Sequence, residues 1–419
     1  MILYNPNRKA DSSNFMNIVI INHYSGSEAM GMEYRHFYLA KELIKQGHQV
    51  VIVAASFTHL RGKNPHPEEP MEVYTEDGVE FLLLKTPPYY RNNLYRVKNV
   101  AAFLMKLRHY SRQIAQTYKP NVVIASSTYL LDIYPAQRIA QLSGARLVFE
   151  LHDIWPLSLT ELHGIKDLHP SILLLKRAEK DSYQISSSVV SILPRADLRA
   201  LELGVRGKRI TYVPNGVSPS AEESQLVSEA QRRIQQLKHQ NIFTIVYVGG
   251  FARANALETI IEAASLLPQG VAVVLVGKGD CKGELAALAA HKNLRNVYFE
   301  EYVAKNQVQA VLREADCLYI GARKSRLYRY GISMNKLYDY MLSARPILFG
   351  INAHNNEVSD CGCGLSVEAE DVRGLAASID KMRALTPEQR SEMGALGRDY
   401  VLKNRNYKAL AQSFIKAIQ

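Results

Sequence analysis

Residues 330–346 read YGISMNKLYDYMLSARP. A glycine and a short run, Gly331-Ile332-Ser333, precede a proline-free segment in which Leu337, Tyr340 and Met341 recur at helical spacing. The helix should stop before Pro346, and Ile347-Leu348-Phe349 then reads as a buried strand. A helix feeding a buried strand is the repeating unit of an α/β domain. The helix start offers free backbone N–H groups, with Lys336 in the first turn and Ser333 and Asn335 beside it, which suits an anion such as a diphosphate. Asp339 is carried on the same rigid element. An ordinary αβ unit with a surface lysine has the same spacing, so both readings stand at this point.

Working outward, the same alternation fills the chain. Before the quoted stretch, apolar runs at 243–248, 272–276, 296–299 and 317–320 alternate with helical segments; after it come 346–349 and 364–367. Gly249-Gly250 closes the first of these runs and Gly277-Lys278-Gly279 the second. The spacing of Gly277, Gly279 and Gly283 is not the dinucleotide fingerprint. The first half repeats the pattern with runs at 17–22, 50–54, 79–84, 122–125, 147–151, 189–193 and 210–213. Pro214-Asn215-Gly216 is a turn, and the polar stretch after it reads as a linker. The expected fold is therefore α/β, with two Rossmann-like doubly wound domains facing a central cleft: 1–214, a linker at 215–241, 242–404, and a C-terminal helix at 405–419 that can cross back to the first domain.

In such sheets ligands bind beyond the carboxyl ends of the strands. The loop holding Gly31 and the cluster His152-Asp153-Ile154-Trp155-Pro156 both fall there in the first half. Asp153 as a helix cap with Trp155 in the core is the alternative for that cluster. From Arg91 to Lys119 there are seven Lys/Arg side chains and no acid, interleaved with tyrosines that include Tyr95. This basic amphipathic segment, with Arg96 among its cations, suits an anionic membrane surface or anionic ligand; a solvated helix face is the other reading.

Composition bounds the function. Of 419 residues, 47% are hydrophobic and 22% charged, as in globular proteins, and no apolar run is long enough for a membrane span. The net charge of +11 is shared between the halves without a basic tail, and no nucleic-acid-binding motif accompanies it. Four cysteines form no disulfide framework or zinc spacing, and the N-terminus lacks a secretory signal pattern, so a reducing cytosol is expected. P-loop, zincin and α/β-hydrolase motifs are missing, and so is any D-x-D pair, so a metal-held diphosphate site has no obvious ligands.

Several stretches carry a family resemblance. PNG at 214–216, VGGFARANALETIIEAA at 248–264, VGKGD at 276–280 and GISMNKLYDYMLSARPIL at 331–348 resemble the GT-B glycosyltransferases of the large retaining family that includes sucrose synthase. HDIWPLSL at 152–159 and TPPYYRNNLYRVKN at 86–99 resemble its bacterial O-antigen and capsule branch, which transfers N-acetylated, often deoxygenated, hexosamines. The resemblance implies a UDP-sugar on the second domain, with Arg253 and Lys336 on the diphosphate, Gly249, Gly250 and the Gly277–Gly279 loop close by, Asp339 on the ribose and Tyr302-Val303 at the uracil. It implies no cofactor and no metal, and His152, Asp153, Arg253 and Lys336 as the catalytic set. It places a lipid-linked saccharide acceptor, on a polyprenyl diphosphate, against Gly31, Arg35, Arg91, Tyr95, Arg96 and Trp155 of the first domain. The protein is then expected in the cytoplasm, peripheral on the inner face of the plasma membrane. The wider family has a glutamate eight residues before the position of Asp339, where this chain has Gly331. A nucleotide-sugar isomerase of the same fold and a non-catalytic nucleotide-sugar-binding paralogue are the alternatives.

Overall fold

The computed structural model describes residues 15–31, 34–89, 94–219 and 226–419. Fourteen strands among them form two sheets. The first contains β1 (Asn17–Ile21), β2 (Gln49–Ala55), β3 (Met71–Glu76), β4 (Val79–Leu84), β5 (Val122–Ala125), β6 (Arg146–Leu151), β7 (Ser188–Ser191) and β8 (Ile210–Tyr212), in the order β3-β4-β2-β1-β5-β6-β7-β8. The second contains β9 (Phe243–Val248), β10 (Val271–Val276), β11 (Val297–Glu300), β12 (Cys317–Gly321), β13 (Ile347–Gly350) and β14 (Gly364–Ser366), in the order β11-β10-β9-β12-β13-β14. Every pairing is parallel except β3 with β4. Both are doubly wound sheets of the GT-B type.

The central strands are mostly apolar because both sheet faces are covered there. In β1, Val19 and Ile21 point into one core with Phe103, Leu107, Ile114 and Ile139. Ile18 and Ile20 point into the other, with Phe37, Leu43, Leu410 and Phe414. The second sheet divides likewise, Val246 and Val248 facing Leu337 and Met341, and Ile245 and Tyr247 facing Ile260 and Ile379.

Three elements differ from the sequence expectation. Strand β3 was not expected, since Glu72 and Glu76 interrupt its apolar pattern; it is an edge strand closed by Asp77-Gly78, both at positive φ, as a tight hairpin turn requires. The basic segment is two helices, Leu94–His109 and Ser111–Tyr118, broken at Tyr110, where the Ser111 hydroxyl donates back to the carbonyls of Leu107 and Arg108. The stretch at 215–241 holds the helix Glu229–His239, whose Ile234 and Leu237 are buried in the second core.

The chain passes between the halves twice at one place. Val217 and Asn406 form a parallel bridge, and the Val217 N–H donates to the Arg405 carbonyl at 2.8 Å. The helix Tyr407–Ile418 then packs on the first sheet, with Phe414 and Ala411 fully buried.

Candidate functional site

Each sheet has a point where strand order reverses, between β1 and β5 in the first and between β9 and β12 in the second, and the loops leaving those strands frame the cleft. In the second half the loop after β9 carries Gly249, Gly250 and the turn Arg253–Asn255, and the loop after β10 carries Gly277, Lys278 and Gly279. These two loops lie against each other: the Phe251 N–H donates to the Lys278 carbonyl at 2.8 Å. Gly277 and Gly279 have φ of +151° and +154°, and a Cβ at Gly279 would stand 2.8 Å from the Phe251 nitrogen. Only glycine permits this backbone approach.

Lys336 lies in the first turn of the helix Asn335–Leu342. Its ammonium donates to the Tyr247 hydroxyl at 2.9 Å and to the Asn255 side-chain oxygen at 3.0 Å, and sits 4.5 Å from the Tyr247 ring centroid. Asn255 is itself held by the Gly250 carbonyl. Burial pushes the Lys336 ammonium down to about 7, and among the described residues no carboxylate pairs with it. A Cβ on Gly249 would stand 3.0 Å from the Lys336 side chain, so this glycine keeps the lysine's seat open. Asp339, one turn on, takes an ion pair from Lys305 at 2.5 Å. Arg253 is 77% exposed with Glu284 at 3.7 Å. Lys278 lies over the ring of exposed Tyr302, and Val303 is buried. The structure thus brings Gly249, Gly250, Lys336 and the Gly277–Gly279 loop together. Asn335 is exposed at the helix start.

Ser333 serves a different contact. Its hydroxyl accepts from the Asn215 N–H at 2.8 Å and its carbonyl from the Asn215 amide at 2.8 Å, which ties the second half to the crossover. Gly331 faces the first half: it has φ +95°, and a Cβ there would run into the ring of Pro194 and stand 2.7 Å from the Asn355 side-chain oxygen. The turn Arg326–Tyr330 docks on the first half, with Leu327 and Tyr330 in its core and Glu202 accepting from Arg329 at 2.8 Å and from the Tyr330 hydroxyl at 2.5 Å. No room is left at Gly331 for the family's glutamate.

In the first half, His152 and Asp153 follow β6 and the helix Leu157–His163 packs against the Arg326–Tyr330 turn, which sets both residues at the boundary of the halves. Burial raises the Asp153 carboxyl, opposed by the hydrogen bond it accepts from the Ile154 N–H at 2.7 Å. Trp155 is half-buried against the first core. Gly31 lies in the loop after β1 at φ +87°. Tyr95 is exposed on the basic helix, whereas Arg96 turns back to the Tyr24 hydroxyl at 3.1 Å. Arg91 lies outside the described residues.

Arg35 departs from the expectation of an acceptor contact. It is 5% exposed, and its guanidinium is engaged inward by Glu150 and by the carbonyls of Val213 and Pro214, because a buried cation must be answered on the spot. Sequence reasoning also missed Tyr247, Asn255, Lys305 and the group of His36, Ser126 and Glu150 around His152. An isolated asparagine two residues after Arg253 was the one available hint.

Similarity to known proteins agrees with this fold. Residues 30–216 match the model of a glycosyl transferase 4-like domain and residues 242–384 that of glycosyl transferases group 1. Together the two models span most of the chain, which belongs to the group 1 glycosyltransferases of GT-B fold. It is 22% identical over 393 residues to WcaI of Escherichia coli (strain K12), which carries the name of a colanic acid biosynthesis glycosyl transferase, covering 90% of this chain and 93% of that protein. Sucrose-phosphate synthase of Thermosynechococcus elongatus superposes with TM-score 0.71 at 17% identity over 96% of this chain and 98% of its own. HepE of Anabaena, solved with UDP and glucose, superposes with TM-score 0.65 at 13% identity over 96% and 98% of the respective chains.

Proposed function

We propose that this protein is a retaining, metal-independent glycosyltransferase that moves a sugar, of the N-acetylated or deoxygenated hexosamine class, from a UDP-sugar to a lipid-linked saccharide during bacterial surface polysaccharide synthesis. The observation that carries the reading is Lys336: a half-buried cation at a helix start, held by neutral partners and framed by glycine backbone, is a seat for an anion that the chain does not itself supply. Cleavage of the sugar–diphosphate bond builds negative charge on the leaving phosphate. A lysine and helix N–H groups fixed beforehand stabilise that charge more in the transition state than in the ground state. Arg253, exposed at the rim, adds a second cation. Asp339 accepts from the ribose, and His152 and Asp153 meet the sugar and acceptor from the other half. The UDP bound by the similarly folded HepE and the naming of WcaI for polysaccharide synthesis support donor and pathway class.

The test is a panel of UDP-sugars incubated with polyprenyl diphosphate sugars in the presence of EDTA. Transfer is expected. Isomerisation or mere binding of the donor would point to the alternative members of the fold, and activity lost to EDTA and restored by Mn²⁺ or Mg²⁺ would overturn metal independence.

The acceptor's lipid calls for a membrane face. No helix among the described residues is long and apolar enough to cross a membrane. The helix Leu94–His109 instead exposes Leu94, Tyr95, Val97 and Met105 beside Lys98 and Arg108. Each cation near an anionic surface contributes about 1 kcal/mol before screening, enough for reversible docking. Replacing Lys98, Lys106 and Arg108 by glutamine should cut sedimentation with anionic liposomes and leave UDP binding intact; unchanged sedimentation would make this helix a solvated face.

A further inference from the structure

Glu150 sits in the middle of the first sheet, on β6, 1% exposed, in a place where leucine would fill the core. A carboxylate there is costly unless every lone pair is answered. One oxygen, Oε1, accepts from Arg35 Nε at 3.0 Å. The other, Oε2, has His36 Nε2 at 2.8 Å, the Ser126 hydroxyl at 2.7 Å and His152 Nε2 at 3.2 Å. Burial alone would raise this carboxyl, but Arg35, His152 and His36 outweigh it and keep the group ionised. Burial likewise lowers His36 and keeps it neutral.

Counting protons fixes the arrangement. An ionised carboxylate only accepts, so Ser126 gives it its single proton and can only accept from the two histidines beside it, His152 Nε2 at 2.8 Å and His36 Nε2 at 2.9 Å. His152 therefore carries its proton on Nε2, and its Nδ1, which no hydrogen bond among the described residues occupies, is left for the cleft. Arg35, anchored on the opposite oxygen, donates to the Pro214 carbonyl at 2.6 Å and the Val213 carbonyl at 2.8 Å and reaches the Asn215 side-chain oxygen at 3.4 Å. Asn215 in turn holds both the hydroxyl and the carbonyl of Ser333, two residues before the helix that carries Lys336.

We propose that Glu150 is a positioning residue for both halves of the site, fixing the tautomer and aim of His152 through Ser126 with one oxygen, and the crossover that seats the Lys336 helix through Arg35 and Asn215 with the other. The assignment rests on the reading that His152 and Lys336 address one substrate. It leaves His36, Glu150 and His152 as hydrogen-bond partners, although their ligating atoms lie within 4.8 Å of one another, close enough to hold a metal ion.

Full-length Glu150→Gln, Ser126→Ala and Asn215→Ala separate the two limbs. In Ser126→Ala, which keeps the Arg35–Glu150 pair and leaves His152 only its 3.2 Å contact with Oε2, nitrogen chemical shifts from ¹⁵N-histidine labelling should show the fixed Nε2–H tautomer of His152 giving way to a mixture, with kcat down about tenfold and donor KM within about threefold. Asn215→Ala should raise donor KM and leave the His152 tautomer alone. Glu150→Gln should do both, with kcat down about 10²-fold; where it does not fold, the other two variants carry the test. An unchanged His152 tautomer in folded Ser126→Ala, an unchanged donor KM in Asn215→Ala, or a stoichiometric transition metal in the purified protein would overturn the assignment. The tautomer is read without turnover, so a wild-type protein that transfers no sugar but loses the tautomer in Ser126→Ala would sink the proposed activity and leave the His152 limb standing.

Discussion

Two sets of cations in the molecule are treated in opposite ways, although the second half also holds an answered one in Arg405, 2.6 Å from Glu357. In the first, Arg35 is answered by Glu150, Arg199 by Glu179 at 2.6 Å, and Arg61 by the carbonyl of Ala55 at 2.8 Å, all from within. In the second, Lys336 meets only a phenol and an amide, and Arg253 stands in solvent near one distant glutamate. A cation whose counter-charge is built in is structural, because removing either partner strands the other. A cation held by neutral groups is a vacancy for an anion from outside. On the proposed function, the donor's charge goes to the cations that no carboxylate answers, and substitutions distinguish the two kinds of cation.

The largest effect is expected where the halves touch. Gly331→Ala imposes a side chain at φ +95° against Pro194, and should lower stability by about 2–4 kcal/mol in urea denaturation. Unchanged stability would mean that the halves do not meet there. Next, Lys336→Met should weaken UDP binding by roughly 1.5–3 kcal/mol in calorimetry. The same change should raise the melting temperature of the free protein, since it removes a half-buried charge that no carboxylate answers; a lowered melting temperature would make Lys336 structural, like Arg35. Asp339→Ala should cost about 1.5 kcal/mol of UDP affinity, the low end for a charged hydrogen bond because Lys305 already occupies one oxygen.

The smallest effect is one of pH. Burial has lowered Lys336 to about 7, so the free protein carries the binding charge below that pH and loses it above. Affinity for a UDP-sugar, whose diphosphate diester does not titrate in this range, should fall by about tenfold, or about 1.4 kcal/mol, from pH 6 to pH 8. Lys336→Met should flatten that slope.

Much of the fold was legible because strands buried on both faces are continuous apolar runs, and thirteen of the fourteen strands announce themselves this way. Strand β3 did not, being an edge strand whose residues alternate with exposed glutamates, although Asp77-Gly78 marked its turn. The helix Glu229–His239 was hidden by charge: three apolar side chains on one face suffice to bury it, in a segment otherwise polar. Within the site, the glycines and Lys336 could be read because their roles depend on local backbone. Arg35 could not, since its partner Glu150 is 115 residues away and only the sheet brings them together. Tyr247 was invisible for another reason: a tyrosine in an apolar strand looks like core until its hydroxyl is seen to hold an ammonium.

The helix Tyr407–Ile418 covers one face of the first sheet, yet it follows the whole second half in the chain. During synthesis the N-terminal half therefore waits, with Ile18, Ile20, Val50 and Ile52 lacking part of their cover, until the ribosome has made the other half as well. Neither half can be released as a finished product before its neighbour exists. A nascent chain arrested before residue 407 should thus present an open apolar sheet face to chaperones, and the two halves reach completion as a single event.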